Sequence, residues 1–393
     1  MRRRTRTRPP GDARGRRLRF HRLRIAAAIL VVLAGAAAAI AVAFGSWTGA
    51  QLRAVVVLSI TQKTPTAAWA VRLVTDKPRI EEMRVAGLPA TVVRPGEGNG
   101  PWPAVVFVNG ATRRGRHHPK VQRLARGLAR AGFLAVVPDL PGLSLGAITP
   151  ATTAATIRVV GATARRRDVR GRVALYGVSV GATLCLLAAE SRELLGRVSV
   201  VGGEAPWVDL EKVIRLATTG EYGTSRYHTD PYVRLAIARS LAAGLPPGPD
   251  RRLLLRTLLA VSDTDPEPLA GLQADGLGRA GRALVELLLN RRTQQFASLY
   301  ARLPRRVREG VVRLSPLVGA RRLRVPVELA SAPHDKYFPP AESRALAAVA
   351  PRVRVSVTTT LDHAIPQPSL RDFRGLLRFD GFVVRFLRQA RKT

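Results

Sequence analysis

The sequence predicts an α/β protein in which helices cover both faces of a mostly parallel sheet. Beyond residue 78, short apolar strands alternate with helical segments, and the strands are apolar throughout rather than at every second position. Such strands are typical of a sheet that is buried on both faces. A chain of 393 residues can bury such a sheet without disulfides, and its single cysteine, Cys185, cannot form one internally.

A hairpin opens the predicted sheet, with strands over 79–85 and 90–94 around a turn at Gly87. The later predicted strands cover 103–109, 133–137, 173–177, 198–201, 325–331 and 353–358. The predicted helices between and after them cover 120–131, 151–165, 179–189, 341–349 and 370–391. Together these elements predict a core formed by residues 79–202 and 323–393.

The segment 203–322 interrupts this core. More than a hundred residues separate two strands that a much shorter crossover would connect. Apolar residues recur there at helical spacing, for example at Leu284, Leu287 and Leu288, and the helices are interrupted by Gly and Pro. We interpret 203–322 as a helical cap over the sheet edge, with an independent helical domain as the alternative.

The N-terminal region predicts a membrane anchor. Residues 1–24 contain eleven arginines, and residues 25–45 contain no charged or strongly polar side chain. A run of 21 such residues can span a bilayer as a helix, and the preceding arginines place residues 1–24 in the cytoplasm. We therefore expect a single-pass protein with residues 46–78 beside the membrane and the remainder extracytoplasmic. Secretion after signal cleavage is the alternative, because Ala41-Val42-Ala43 resembles a cleavage site.

The net charge of +37 would fit an anionic partner, such as nucleic acid or an acidic lipid surface. However, only six of the 64 basic residues are lysines, and the arginines are spread along the whole chain without interleaved aromatic residues. We interpret the charge as a compositional habit and predict no specific nucleic-acid partner. No Cys/His spacing resembles a metal site, so we predict neither metal nor cofactor.

The motif Gly177-Val178-Ser179-Val180-Gly181 predicts a nucleophile. It follows an apolar strand and precedes a helix, which is the context of a GxSxG turn that exposes the serine hydroxyl. The glycines are needed because the turn is too tight for side chains beside the serine. The alternative is a plain tight turn.

A serine nucleophile needs a base, and His363 is the best placed of the six histidines because it follows the last predicted strand. Asp335 follows the strand 325–331 and is predicted to orient His363, since working residues collect at the carboxyl ends of parallel strands. Glu204 is the main competitor for this role. Asp362 is a weaker one, because neighbouring residues at a strand end tend to point apart.

Two backbone amides are predicted to bind the oxyanion of a tetrahedral intermediate. Val180, the residue after the nucleophile, supplies one. Ala111, in the loop after the strand 103–109, is the first choice for the other, with Gly110 permitting a close approach.

With these residues the chain resembles the α/β-hydrolase superfamily, in particular bacterial esterases and dienelactone-hydrolase-like proteins. The resemblance covers about residues 79–391 and depends on Asn109-Gly110-Ala111, Pro138-Asp139-Leu140-Pro141-Gly142, the turn at Ser179, Asp335 and His363. It implies an eight-stranded, mostly parallel sheet, a Ser-His-Asp triad and no metal. The chain departs from the pattern at Asn109, where many relatives have histidine, and dienelactone hydrolases proper use cysteine where this chain has Ser179.

The sequence therefore predicts a serine hydrolase that cleaves small-molecule or lipid-like carboxylic esters through an acyl-enzyme. One alternative keeps the fold and changes the reaction to amide cleavage or perhydrolysis. Another is a non-catalytic, membrane-anchored scaffold that binds anionic partners. The sequence does not indicate an oligomeric state.

Overall fold

A computed structural model of the chain describes residues 47–61, 65–265, 271–367 and 372–392. The predicted cytoplasmic segment 1–24 and membrane helix 25–45 lie outside these residues, so the anchor stays a prediction from the sequence. Within the described ranges, no helix is both long enough and apolar enough to cross a bilayer. The chain divides into two compact units, residues 1–51 and 52–393. The architecture below is that of the second unit.

An eight-stranded sheet forms the centre of this unit, in the order β1-β2-β4-β3-β5-β6-β9-β10. The strands are β1 (Arg79–Val85), β2 (Leu88–Arg94), β3 (Trp102–Val108), β4 (Leu134–Pro138), β5 (Val169–Val178), β6 (Val198–Glu204), β9 (Val327–Ser331) and β10 (Val353–Val357). The pairs β1–β2 and β2–β4 are antiparallel, and β4 to β10 pair in parallel. The predicted fold class, a mostly parallel sheet with helices, is confirmed.

Helices cover both faces of the sheet. The core helices are α3 (Pro119–Arg130), α4 (Pro150–Ala164), α5 (Val180–Ala189), α13 (Pro340–Val349) and α14 (Phe373–Ala390). The consecutive residues Gly202 and Gly203 of β6 point to opposite faces. A methyl group at Gly202 would meet the Phe386 ring of α14 at 2.6 Å, and one at Gly203 would meet Ala182 of α5 at 3.0 Å. Helix α14 therefore lies on one face and α5 on the other.

The segment between β6 and β9 is mainly helical. It contains α6 (Leu210–Thr219), α7 (Pro231–Gly244), α8 (Pro249–Ala260), α9 (Arg279–Leu289), α10 (Thr293–Ala301), α11 (Arg305–Arg313) and α12 (Pro316–Gly319), with a small hairpin of β7 (Glu221–Tyr222) and β8 (Ser225–Arg226). The buried carboxylate of Glu342 in α13 accepts hydrogen bonds from the Val208 and Asp209 amides at 2.6 and 2.9 Å. These bonds fix the start of the inserted segment to the core.

The residues before β1 are helical. Residues 52–61 form α1, and α2 covers Pro65–Val74. Helix α1 packs closely on α3, because a methyl group at Gly127 would lie 3.2 Å from the Val57 carbonyl oxygen. Another short hairpin, β11 (Leu361–Asp362) with β12 (Ile365–Pro366), lies between β10 and α14.

Candidate active site

Ser179 occupies a tight turn between β5 and α5. Its φ of 54° and ψ of −126° are unusual for a residue with a side chain. A methyl group at Gly177 would lie 2.4 Å from the Ala182 nitrogen, and one at Gly181 would lie 2.1 Å from the Val108 carbonyl oxygen. Both glycines are therefore required by close backbone contacts. The turn places Ser179 at the carboxyl edge of the sheet, with its amide donating to the Glu204 carbonyl at 2.7 Å.

His363 and Asp335 are directly paired. The Nδ1 atom of His363 lies 2.9 Å from Oδ1 and 2.8 Å from Oδ2 of Asp335. His363 lies in the two-residue turn between β11 and β12 with a φ of 55°. The ring of Tyr337 packs against the imidazole with a centroid separation of 4.3 Å. With Nδ1 held by a carboxylate, Nε2 is left as the basic nitrogen, which is what a general base requires.

Asp335 is held rigidly by its own loop. Its side chain is fully buried, and Oδ1 accepts hydrogen bonds from the amides of Tyr337 at 2.8 Å and Phe338 at 3.0 Å. The Tyr227 hydroxyl, from the inserted segment, donates to the Asp335 carbonyl oxygen. Amide donors stabilise the charged form of a carboxylate. The arrangement suits an acid that orients an imidazole.

Within the described part of the chain, neither competing acid is hydrogen-bonded to His363. Glu204 accepts a hydrogen bond from the Tyr176 hydroxyl, and Asp362 accepts one from Gln367 at 3.3 Å. Burial raises the pKa of Glu204 to about 7, and the bond from Tyr176 opposes this shift. Burial and the neighbouring carboxyl group of Glu204 raise the pKa of Tyr176 well above its usual value. Glu204 is thus a buried acid with a tyrosine partner, and it lines the same cavity as Ser179.

Glu204 is expected to make stability depend on pH. Below about pH 4.5 the carboxyl is protonated in both states, whereas between about 4.5 and 7 it ionises only in the unfolded chain. Relative to Glu204→Gln, the wild-type chain should therefore lose up to about 3 kcal/mol of unfolding free energy as pH rises through this window. Urea unfolding of both proteins from pH 4 to 8 measures the difference. Tyr176→Phe should raise the upper end of this window, because the Tyr176 hydrogen bond lowers the pKa of Glu204 only in the folded chain. Parallel pH profiles for wild type and Glu204→Gln would contradict this account.

The predicted oxyanion donors lie beside Ser179. Gly110, Ala111 and Val180 line the cavity with the serine, and a methyl group at Gly110 would be 3.5 Å from the Ser179 Cβ. Within the described part of the chain, neither the Ala111 nor the Val180 amide donates to a protein acceptor. Val180 is the first residue of α5, where amides lack partners inside the helix. Both amides can therefore receive a substrate oxygen.

Ser179 and His363 line one cavity of about 540 Å³. This volume is typical of sites for small organic molecules. The inserted segment contributes apolar side chains that include Trp207, Ile214, Val233, Ile237, Leu241 and Leu314. The sheet, α3 and α14 contribute Phe107, Leu124, Val383 and Phe386, together with the polar pair Tyr176 and Glu204. The site can thus hold an apolar group on a carbonyl carbon next to Ser179.

Comparison with solved structures identifies this architecture. The chain aligns with the hydrolase lpg1103 of Legionella pneumophila at a TM-score of 0.54 and 14% identity, covering 86% of this chain and 95% of that one. LipA, a rice cell wall degrading esterase from Xanthomonas oryzae, aligns at a TM-score of 0.50 and 16% identity, covering 82% of this chain and 94% of that one. The chain therefore has the α/β-hydrolase fold.

Sequence comparison adds that residues 86–221 of this chain match the profile of X-Pro dipeptidyl-peptidase (S15 family). This region contains both the turn at Ser179 and the loop with Ala111, but it is less than half of the chain. No match was found among curated protein sequences.

The inserted segment is tied to the loop that contains Ala111 by an ion-pair chain that the sequence did not reveal. Arg113, two residues after Ala111, lies 3.1 Å from Asp263, and Asp263 lies 2.6 Å from the fully buried guanidinium of Arg239 in α7. Arg239 also donates to the carbonyls of Leu258 and Val261. Helix α7 contains two arginines, Arg234 and Arg239, and nothing in the sequence distinguishes the fully buried one.

Proposed function

We propose that this protein is a serine hydrolase that cleaves carboxylic esters through an acyl-enzyme formed on Ser179. The observation that carries the proposal is that Ser179 and the Asp335-bound His363 line one largely apolar cavity. In this proposal Ser179 is the nucleophile, His363 the general base and acid, and Asp335 the orienting carboxylate. The Val180 and Ala111 amides bind the oxyanion.

The proposed reaction has two half-reactions. The Ser179 oxygen attacks the acyl carbon while its proton passes to His363, and the negative oxygen of the intermediate accepts from the two amides. Collapse breaks the ester bond as His363 returns the proton to the departing alcohol. Water then attacks the acyl-enzyme with His363 again as base, which releases the carboxylic acid and restores Ser179.

The cavity favours an apolar acyl or alkyl group, which supports small apolar or lipid-like esters as substrates. Peptide cleavage is the second candidate, because residues 86–221 match the X-Pro dipeptidyl-peptidase profile. The same serine chemistry serves both bonds, since both pass through a tetrahedral intermediate. Rates on p-nitrophenyl esters of increasing chain length and on X-Pro p-nitroanilides separate the candidates. We expect turnover of the esters and a preference for longer chains.

Labelling with a fluorophosphonate probe tests the nucleophile directly. We expect covalent labelling of the full-length protein and no labelling of Ser179→Ala, because the probe bonds only to an activated serine. His363→Ala should also resist labelling, since Ser179 then lacks a base. Ser191→Ala, which changes a serine in the loop after α5, should label like the wild type. Undiminished labelling of Ser179→Ala would reject the assignment.

A further inference from the structure

Helices α1 and α2 expose large apolar side chains to solvent. Leu52 and Val55 lie three residues apart on α1, and Trp69 and Leu73 lie four residues apart on α2, so each pair shares one side of its helix. Leu52, Trp69 and Leu73 are 69%, 63% and 65% exposed. Single exposed apolar residues are common in soluble proteins, whereas a group of them is typical of an interaction site. We refer to Leu52, Val55, Trp69, Leu73 and Val74 as the α1–α2 face.

The α1–α2 face belongs to a packed layer. Ile60 of α1 forms a buried cluster with Ala68 and Val71 of α2, and Val56 packs against it. The Arg130 side chain of α3 donates to the Thr75 carbonyl oxygen at 2.7 Å, which fixes the end of α2. The exposed residues are therefore supported by the core, and the helices do not depend on a partner to be positioned.

Arginines accompany this face. Burial and the nearby charge of Arg391 lower the pKa of Arg53 in α1. Burial and the nearby charge of Arg72 lower the pKa of Arg130, although Asp76 partly opposes this. Arg72 is itself exposed on α2 next to Leu73, and Arg130 contacts the end of α2 at Thr75, so basic side chains adjoin the apolar ones. Apolar side chains with adjacent basic residues are typical of helices that lie in the interface of anionic membranes.

The other side of α1 faces the candidate active site. Val57, Leu58 and Thr61 line the cavity that contains Ser179. Helix α1 therefore separates this cavity from the surface on which Leu52 and Val55 are exposed. A surface bound there would lie one helix diameter, about 10 Å, from the cavity.

We propose that the α1–α2 face docks onto the surface of an anionic lipid bilayer, with its apolar side chains in the boundary between headgroups and acyl chains and its arginines at the phosphates. The sequence favours a bilayer over a protein partner, because the apolar run 25–45 ends seven residues before Leu52. A chain anchored by that run holds Leu52 within about 25 Å of the membrane. Docking would bring the cavity beside a supply of lipid-like esters, but it does not depend on the chemistry at Ser179.

A fluorescent probe on the α1–α2 face tests the docking. The only native cysteine, Cys185, is fully buried, and burial raises the pKa of its thiol, so a cysteine introduced at the surface can be labelled selectively. Full-length Leu73→Cys carries the environment-sensitive dye NBD on this face. Full-length Leu195→Cys carries it at a site that is 70% exposed on the loop after α5. Each protein is reconstituted into vesicles of phosphatidylcholine alone or with phosphatidylglycerol, with and without doxyl-labelled lipid.

We expect doxyl lipid to quench the Leu73 probe at least twofold more strongly in the anionic vesicles than in the neutral ones. High salt should reduce the difference, since it screens the arginines. Arg72→Gln should weaken the preference for anionic lipid while leaving thermal unfolding unchanged. The Leu195 probe should remain in water throughout.

Three results would overturn the proposal. One is a Leu73 probe that is quenched no more than the Leu195 probe. Another is equal quenching in neutral and anionic vesicles, which would exclude the role of the arginines. The third is a Leu73 probe whose emission indicates an apolar environment although doxyl lipid does not quench it, which would indicate that another part of this chain or a second copy covers the face.

Discussion

Asp335→Asn is expected to lower kcat on an activated ester by about 10⁴-fold, the size of effect found when the acid of such a triad loses its charge. The Asp335 carboxylate accepts from Nδ1 of His363 with both oxygens, at 2.9 and 2.8 Å. An asparagine of the same size can offer its amide group to that nitrogen. This favours the tautomer in which Nε2 carries the proton and cannot accept one from Ser179. KM should change much less, because Asp335 is fully buried and is not among the cavity-lining residues.

Glu204→Gln is the matched comparison, because it also exchanges a buried carboxyl for an amide at the carboxyl end of a core strand. The Glu204 carboxyl accepts a hydrogen bond from Tyr176 and none from His363. The kcat of Glu204→Gln should therefore fall by less than about tenfold. Initial rates at saturating ester, with circular dichroism to verify folding, measure both variants. A loss in Glu204→Gln as large as that in Asp335→Asn would move the orienting role to Glu204.

The sheet and the turn at Ser179 were predictable because local patterns determine them. Strand β1 was predicted with its observed bounds, Arg79–Val85, and β5 and α5 were placed on either side of Ser179. An uninterrupted apolar run is stable only where both faces of a strand are covered. The turn itself requires the glycines. A side chain at Gly177 would clash with backbone atoms a few residues away, and one at Gly181 would clash with backbone atoms at the end of the neighbouring strand.

The sequence favoured Asp335 as the partner of His363 but left Glu204 open, because these contacts join residues far apart in the sequence. Glu204 ends β6 and Asp335 follows β9, and only the loop geometry decides that Asp335 reaches His363 while Glu204 meets Tyr176. For residues 46–78 the sequence predicted only a position beside the membrane. An apolar segment does not specify what it packs against, and α1 packs on α3 and lines the cavity.

Gly181→Ala is expected to disturb both stability and catalysis. The added methyl carbon would lie 2.1 Å from the Val108 carbonyl oxygen and 2.6 Å from that of Asn109. Backbone carbonyls at the end of a central strand cannot move without shifting the strand, so we expect a loss of about 2 kcal/mol or more in unfolding free energy. The forced shift separates α5, which carries the Val180 amide, from the loop that carries the Ala111 amide. A displacement near 1 Å between them should cost about 10²-fold in kcat.

Gly310→Ala is the control, because Gly310 also lies within a helix, α11, and its added methyl would meet only Pro150 at 3.9 Å. Alanine there should stabilise the protein by about 0.5 kcal/mol and leave kcat unchanged, since glycine weakens a helix interior. Chemical unfolding and ester turnover of both variants provide the comparison. The clash at Gly181 acts both on the strand and on the spacing of the Val180 and Ala111 amides. Gly181→Ala should therefore lose unfolding free energy and kcat together. A folded Gly181→Ala protein with wild-type kcat would mean that the spacing of the Val180 and Ala111 amides does not limit the reaction.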